Sequence, residues 1–259
     1  MSFYEWFTTE REDLTPLPRE EFLFGTRHVL VLCLIVIAVC LLTIFFYKKD
    51  KKDQDKVFNV LAGILIFGEV LVRVARMTKI IVEGLWTFPA LWYALMPNFV
   101  CSIVVWTLII NHFVKWKPLT NAGTLAGLVA TGGFYLWPGA GFNTVEVPFL
   151  QIYSIVSHSI ALIYFLLLVI YHRAQFKLEK YYEPWIYFAV ALFYSWMLNL
   201  FVFPGENYMY FMYDNMTYWA IPNPWWQVFL FFALLFTISA FFVPDLIKRL
   251  IKKKTVKAS

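Results

Sequence analysis

Hydrophobic residues fall in seven long runs, separated by short stretches of charged residues, proline and glycine. The runs cover residues 27–47, 57–77, 93–114, 120–138, 149–171, 185–204 and 225–246. A helix needs about 20 residues to cross the hydrocarbon core of a bilayer, so each run is long enough for one span. The pattern therefore predicts an all-α fold, a polytopic bundle of seven transmembrane helices.

Composition agrees with this prediction, and the charges orient the bundle. Hydrophobic residues make up 61% of the 259 residues, against roughly 45–50% in soluble domains. Lysine and arginine follow the first, third, fifth and seventh runs, whereas the loops after the fourth and sixth runs contain neither. The positive-inside rule then predicts an outside N-terminus and a cytoplasmic C-terminus. The net charge of +5 would face anionic lipid headgroups, and we expect no nucleic-acid partner.

The same pattern divides the chain into three parts. Residues 1–26 are expected to form an extracellular segment, because they lack the basic start of a cleavable signal. Residues 27–247 form the seven-helix membrane domain, and residues 248–259 form a basic cytoplasmic tail. We expect a multi-pass protein of the cell membrane. The aromatic outer loop at 205–226 is interpreted as an interfacial anchor, with a lid over an outward-open cleft as the alternative.

Several polar side chains lie inside the predicted spans. In hydrocarbon each must find a partner or cost several kcal/mol. With a rise of about 1.5 Å per residue, Cys101 and His158 lie roughly 12–14 Å from the outer surface. Glu69, Arg73 and Asn199 belong to other spans and fall in the same outer half of the bilayer. Polar groups kept at such a depth indicate a functional site.

Cys101 and His158 are a pair of residue types that nucleophilic catalysis uses. An imidazole can take the proton of a thiol and return it to a leaving group. Pro97 lies four residues before Cys101, and a broken helix there can leave donors free for an oxyanion. The alternatives are a cysteine that packs as a small hydrophobic residue and a proline that only kinks the helix.

Glu69 and Arg73 are four residues apart and share one helix face. They could simply pair and fix helix packing. Alternatively, Arg73 holds a phosphate or carboxylate while Glu69 orients Arg73 or His158. Asn98 and Asn199 are candidates to stabilise an oxyanion. The sequence contains no recognisable metal-ligand set or phosphate-binding glycine loop, so we expect neither a metal nor a cofactor.

Short motifs across the middle of the chain resemble a known family. They are Met96-Pro97-x-x-x-Cys101, Gly132-Gly133, Trp137-Pro138-Gly139, Ser157-His158, Asn199 and Asn207-Tyr208. Together they resemble the YwaF-like bacterial integral membrane family, which is similar to TMEM-type acyltransferases that remodel phospholipids with a Cys/His pair. The resemblance implies a six- or seven-helix fold in a bacterial plasma membrane. It also implies that Cys101 is the acyl-accepting nucleophile and His158 the general base.

One function hypothesis leads, and two alternatives stay open. The leading hypothesis is a membrane-embedded phospholipid acyltransferase or lipid-ester hydrolase. Cys101 would take an acyl chain from an outer-leaflet phospholipid, and a lysophospholipid or water would resolve the thioester while Arg73 binds the headgroup phosphate. The alternatives are an outward-facing protein that binds or transports a small ligand, and a structural subunit of a membrane assembly. The sequence leaves open whether the protein has a protein partner.

Overall fold

The chain is helical throughout the part that the structure, a computed structural model, describes. The described residues are 1–10, 14–17, 19–22, 24–136, 141–204 and 225–258. Their α-helices are α1 (Phe3–Thr8), α2 (Arg19–Phe22), α3 (Thr26–Phe46), α4 (Lys51–Glu83), α5 (Phe88–Leu95), α6 (Val100–Val114), α7 (Lys117–Leu136), α8 (Phe149–Ile170), α9 (Tyr182–Met197) and α10 (Trp225–Ala258). Within these ranges the only extended pairing is an isolated bridge between Pro16 and Thr144. The predicted all-α class is confirmed there, while most of the aromatic loop at 205–226 lies outside the described residues.

Five segments are long and apolar enough to cross a membrane. They are α3, α4, α8, residues Leu178–Val202 around α9, and Phe231–Lys252 within α10. Helices α5 and α6 pass the same test together as one span bent by 54°. The protein is therefore a multi-pass helical membrane protein with five or six candidate spans in the described residues. The count of seven stays a prediction, because α7 does not reach the same apolarity.

Small residues explain the position of α7 inside the bundle. Its buried residues include Ala122, Gly123, Ala126 and Gly127, and it packs against α6, α8 and α9. Small side chains let helix backbones approach closely in a membrane. The same residues contribute little hydropathy, so a helix at the centre of the bundle has a weaker apolar signal than the helices around it.

Gly127 lies directly against the ring of Phe165, and a methyl group added at Gly127 would overlap that ring. Phe165 is buried, and its ring would have to shift away from α7 to make room. We expect Gly127→Ala to lower the free energy of unfolding by about 1–3 kcal/mol, the usual cost of overpacking. Thermal unfolding in detergent measures this, with Gly132→Ala as the matched control. Nothing lies within 4 Å of a methyl group at Gly132, so equal losses in both variants would contradict the close packing of α7 on α8.

The two ends of the bundle carry different charges and are called here the basic end and the acidic end. The basic end holds residues 48–56, 115–117 and 173–180, which meet where Lys117 Nζ donates to the Arg173 carbonyl and Arg173 pairs with Asp55. The acidic end holds α1, α5 and the loop at Glu146.

The N-terminal helix α1 packs against the bundle, and the C-terminal residues extend its last helix. The ring of Phe7 on α1 lies 4.9 Å from that of Phe149 on α8, centroid to centroid. At the other terminus, α10 continues through residue 248 to Ala258, so the backbone of the predicted tail extends the last helix.

Candidate active site

The third predicted span is broken in the four residues between α5 and α6, immediately before Cys101. Pro97 lies in this break, where it lacks an N–H donor and disfavours helix at the preceding residue. The Tyr194 hydroxyl donates to the Pro97 carbonyl at 2.8 Å, and the Asn98 side-chain nitrogen donates to the Tyr93 carbonyl at 3.2 Å. Side chains therefore donate hydrogen bonds to backbone carbonyls that lose their helical N–H partners at the break.

The break places Cys101 in the first turn of α6. The residue that caps this helix, Phe99, supplies no side-chain hydrogen bond, and first-turn N–H groups have no acceptor within a helix. The backbone N–H groups of Cys101 and Ser102 lie against the thiol. A helix N-terminus carries partial positive charge, which offsets part of the cost of charging a buried thiol.

His158 lies on α8 and is held by two contacts. Its Nδ1 lies 2.6 Å from the backbone oxygen of Ser154. A carbonyl oxygen only accepts, so the proton is on Nδ1 and the lone pair is on Nε2. Nε2 is buried and has no hydrogen-bond partner among the described residues. The ring stacks on Phe134 with centroids 3.8 Å apart, so the imidazole is fixed while its basic nitrogen stays uncommitted.

One cavity of about 190 Å³ brings four of the six predicted site residues together: Cys101, His158, Glu69 and Arg73. Asn98 and Asn199 do not line it. Asn98 is buried in the break, where its Oδ1 has no hydrogen-bond partner among the described residues. Asn199 is buried in a π-helical turn, Leu198–Val202, that follows α9.

Glu69 is the centre of a hydrogen-bond network in this cavity. Its carboxylate accepts from Arg73 at 2.7 Å, from Trp106 Nε1 at 2.8 Å and from the Tyr153 hydroxyl at 2.5 Å. The Arg73 guanidinium also lies 5.3 Å from the centroid of the Trp106 ring. The sequence left open whether Glu69 orients Arg73 or His158. In the structure its hydrogen bonds go to Arg73 and two aromatic donors, and His158 is held elsewhere.

Among the other residues that line the cavity, Arg76, Tyr93 and Glu10 form a polar cluster. Arg76 Nε donates to Glu10 at 3.1 Å, and its guanidinium lies 4.2 Å from the centroid of the Tyr93 ring. The sequence indicates Arg76 as an extension of the basic edge at Arg73, because positions 69, 73 and 76 fall on one helix face. Nothing in the sequence indicated that Glu10 lines the cavity, since it lies outside every apolar run.

These features define the class of protein, a multi-pass integral membrane protein with a polar cavity among its helices. The chain belongs to the TMEM164 family, whose family model matches residues 23–244. The matched residues include every predicted site residue but not Glu10. No curated protein and no solved structure matches. The expected resemblance to a TMEM-type membrane family is confirmed, whereas the YwaF-like bacterial family and the acyl-transfer activity stay predictions.

Proposed function

We propose that the protein is a membrane-embedded acyltransferase that moves an acyl chain from a phospholipid to a lysophospholipid through a thioester on Cys101. The observation that carries this proposal is the buried Nε2 of His158, which has no hydrogen-bond partner in the described part of the chain and belongs to a ring lining the same cavity as Cys101. A buried polar atom without a hydrogen bond costs stability. A general base must keep its lone pair available for the proton it takes. The unbonded Nε2 is therefore what a general base at this position requires.

The first half-reaction forms the thioester. His158 Nε2 takes the proton of the Cys101 thiol, and the thiolate attacks the ester carbonyl of the donor phospholipid. The N–H groups of Cys101 and Ser102, in the uncapped first turn of α6, stabilise the resulting oxyanion. The C–O bond then breaks, His158 returns its proton to the departing oxygen, and a lysophospholipid leaves.

The second half-reaction reverses these roles. The hydroxyl of an acceptor lysophospholipid gives its proton to His158 Nε2 and attacks the thioester carbonyl. The C–S bond breaks, and the Cys101 thiolate recovers the proton from His158. If water entered instead, the same steps would release a fatty acid, and the enzyme would be a lipid-ester hydrolase.

Two glutamates balance the two arginines of the cavity, and one arginine N–H supports an anionic substrate group. The Arg73 and Arg76 side chains are only 16% and 17% exposed, and each pairs with a carboxylate, Glu69 or Glu10. Arg73 Nε has no hydrogen-bond partner among the described residues, so it can donate to a headgroup phosphate while Glu69 holds the guanidinium. The cavity of about 190 Å³ is smaller than ordinary small-molecule pockets of roughly 300–1,000 Å³. It suits the ester and phosphate, with the acyl chains left in the bilayer.

We also propose that all seven predicted helices span a bacterial plasma membrane, with the acidic end outside and the basic end in the cytoplasm. The positive-inside rule supports this orientation, and the position of α7 among α6, α8 and α9 supports its membrane location. A membrane-impermeant maleimide applied to intact cells should label Ser2→Cys but not Lys51→Cys. Labelling of Lys51→Cys alone would show the opposite orientation.

Mass spectrometry of the protein incubated with phospholipid tests the acyl-transfer proposal. We expect a hydroxylamine-labile acyl adduct that peptide mapping assigns to Cys101. The adduct should be absent from Cys101→Ala and strongly reduced in His158→Ala. Cys33→Ala is the matched control, because Cys33 is an exposed cysteine on α3. An unmodified Cys101 while phospholipid is consumed would contradict the proposal, and lipid that binds without either change would favour a binding or transport protein.

A further inference from the structure

A second cavity lies toward the basic end of the bundle, away from Cys101 and His158. It measures about 850 Å³ and is lined by α4, α6, α7 and α8. Helices α4 and α6 are joined where Trp106 donates to Glu69, and nearer the basic end both helices line the cavity. Asn59, Gly63 and Ile66 form one stripe of α4 along it. A methyl group added at Gly63 would meet nothing within 4 Å, so the cavity is open on this side.

The lining of this cavity changes from apolar to cationic. Leu108 on α6 and Phe165 on α8 are buried side chains that line its apolar part. Lys115, Lys117 and Arg173, which follow or begin helices at the basic end, line its cationic part. Polar side chains, among them Asn111, His112 and Tyr164, lie between these two parts. An apolar inner part followed by polar groups and then cations matches the chemistry of a lipid, whose acyl chain, ester groups and phosphate are joined in one molecule.

Positive charge at the cationic part exceeds what nearby carboxylates balance. Arg173 is paired with Asp55 at 3.1 Å. In the described part of the chain, no carboxylate lies within ion-pair distance of Lys115 or Lys117. Partial burial lowers the pKa of Lys117, at the start of α7, and the neighbouring cations Arg173 and Lys180 lower it further. A bound anion would relieve this repulsion.

We propose that the cavity binds one anionic phospholipid from the leaflet at the basic end. Its phosphate contacts Lys115 and Lys117, and one acyl chain lies between α4 and α6. A free phosphate ion would use the cations but leave the apolar part unfilled, and a zwitterionic lipid would add a positive group beside the lysines. This site is separate from the acyl-transfer cavity and does not depend on the chemistry of Cys101.

Photo-crosslinking locates such a lipid. The full chain is placed in phosphatidylcholine nanodiscs with a trace of phosphatidylglycerol that carries a diazirine on one acyl chain, and crosslinked peptides are mapped. We expect crosslinks to concentrate on the parts of α4 and α6 that line the cavity. Excess unlabelled phosphatidylglycerol should remove them, whereas excess phosphatidylcholine should not.

Two pairs of variants test the contacts. Lys115→Ala with Lys117→Ala should reduce crosslinking about tenfold, from the loss of two cations near the phosphate. The control is Lys48→Ala with Lys49→Ala, which removes two cations at the same end of the bundle. These two lysines do not line the cavity, so crosslinking should change little. Gly63→Phe should fill the cavity and reduce crosslinking, whereas Val60→Phe adds the same bulk on an exposed part of α4 outside the lining.

Three results would overturn the proposal. The first is crosslinking spread evenly over all helices, or equal competition by phosphatidylcholine. The second is complete competition by inorganic phosphate at millimolar concentration, which would define an ion site in place of a lipid site. The third is an equal loss in the two lysine double variants. If Gly63→Phe does not fold, as its melting temperature would show, the lysine variants decide alone.

Discussion

Cys101→Ala is expected to abolish acyl transfer, and His158→Ala to reduce it by about 10²–10⁴-fold, the usual contribution of a general base. The first variant removes the atom that carries the acyl group. The second removes the nitrogen that activates the thiol and protonates the leaving oxygen. Steady-state transfer of a labelled acyl chain from phospholipid to lysophospholipid, measured in detergent micelles, gives both effects.

Matched controls separate this chemistry from damage to the fold. Cys40→Ala alters an exposed cysteine on α3, and His172→Ala alters a histidine whose ring contacts Tyr47 at the basic end. Both should keep the wild-type rate. Cys101→Ala and both controls should also keep melting temperatures close to wild type. His158→Ala loses its contacts with Phe134 and Ser154, so its rate is measured below its own melting temperature. Wild-type turnover in Cys101→Ala would eliminate the thioester mechanism.

Glu69→Ala is expected to give a large loss of stability, lowering the free energy of unfolding by about 3–5 kcal/mol. The Glu69 and Arg73 side chains are 12% and 16% exposed. Removing the carboxylate leaves Arg73 without its counter-charge and leaves the donors of Trp106 and Tyr153 unpaired. Thermal unfolding in detergent, with the rate of acyl transfer measured in parallel, tests this prediction.

Arg73→Ala is the matched control, and its loss should be smaller. In that variant Glu69 still accepts hydrogen bonds from Trp106 and Tyr153. The double variant Glu69→Ala, Arg73→Ala should recover part of the loss, since no uncompensated charge is left and the two sites interact directly. An equal or larger loss in Arg73→Ala would show that the carboxylate is not the centre of the network.

Apolar runs predicted the helix positions closely where a helix is apolar from end to end. The runs at 27–47 and 149–171 became α3, Thr26–Phe46, and α8, Phe149–Ile170. The run at 57–77 fell short of α4, which extends from Lys51 to Glu83. Hydropathy identifies only the stretch of apolar residues that favours lipid. Backbone hydrogen bonds continue the helix through the polar residues on either side of that stretch. Helix α4 ends at its caps, Asp50 and the left-handed Gly84.

Depth in the membrane predicted part of the candidate site. It grouped Cys101 and His158 with the Glu69–Arg73 pair, and all four residues line one cavity. Asn199 was predicted at the same depth but does not line the cavity, because depth says nothing about the direction in which a side chain leaves its helix axis. Membrane depth could not predict Glu10, since its contact with Arg76 joins residues 66 positions apart.

The proposed mechanism requires a thioester on Cys101 as an intermediate of acyl transfer. A chase experiment tests it most directly: the wild-type protein is loaded with a labelled acyl chain from phospholipid, excess donor is removed, and lysophospholipid is added. We expect the label to leave Cys101 and enter the product phospholipid at least as fast as steady-state turnover. A label that stays on Cys101 while the enzyme continues to turn over fresh donor would contradict the mechanism.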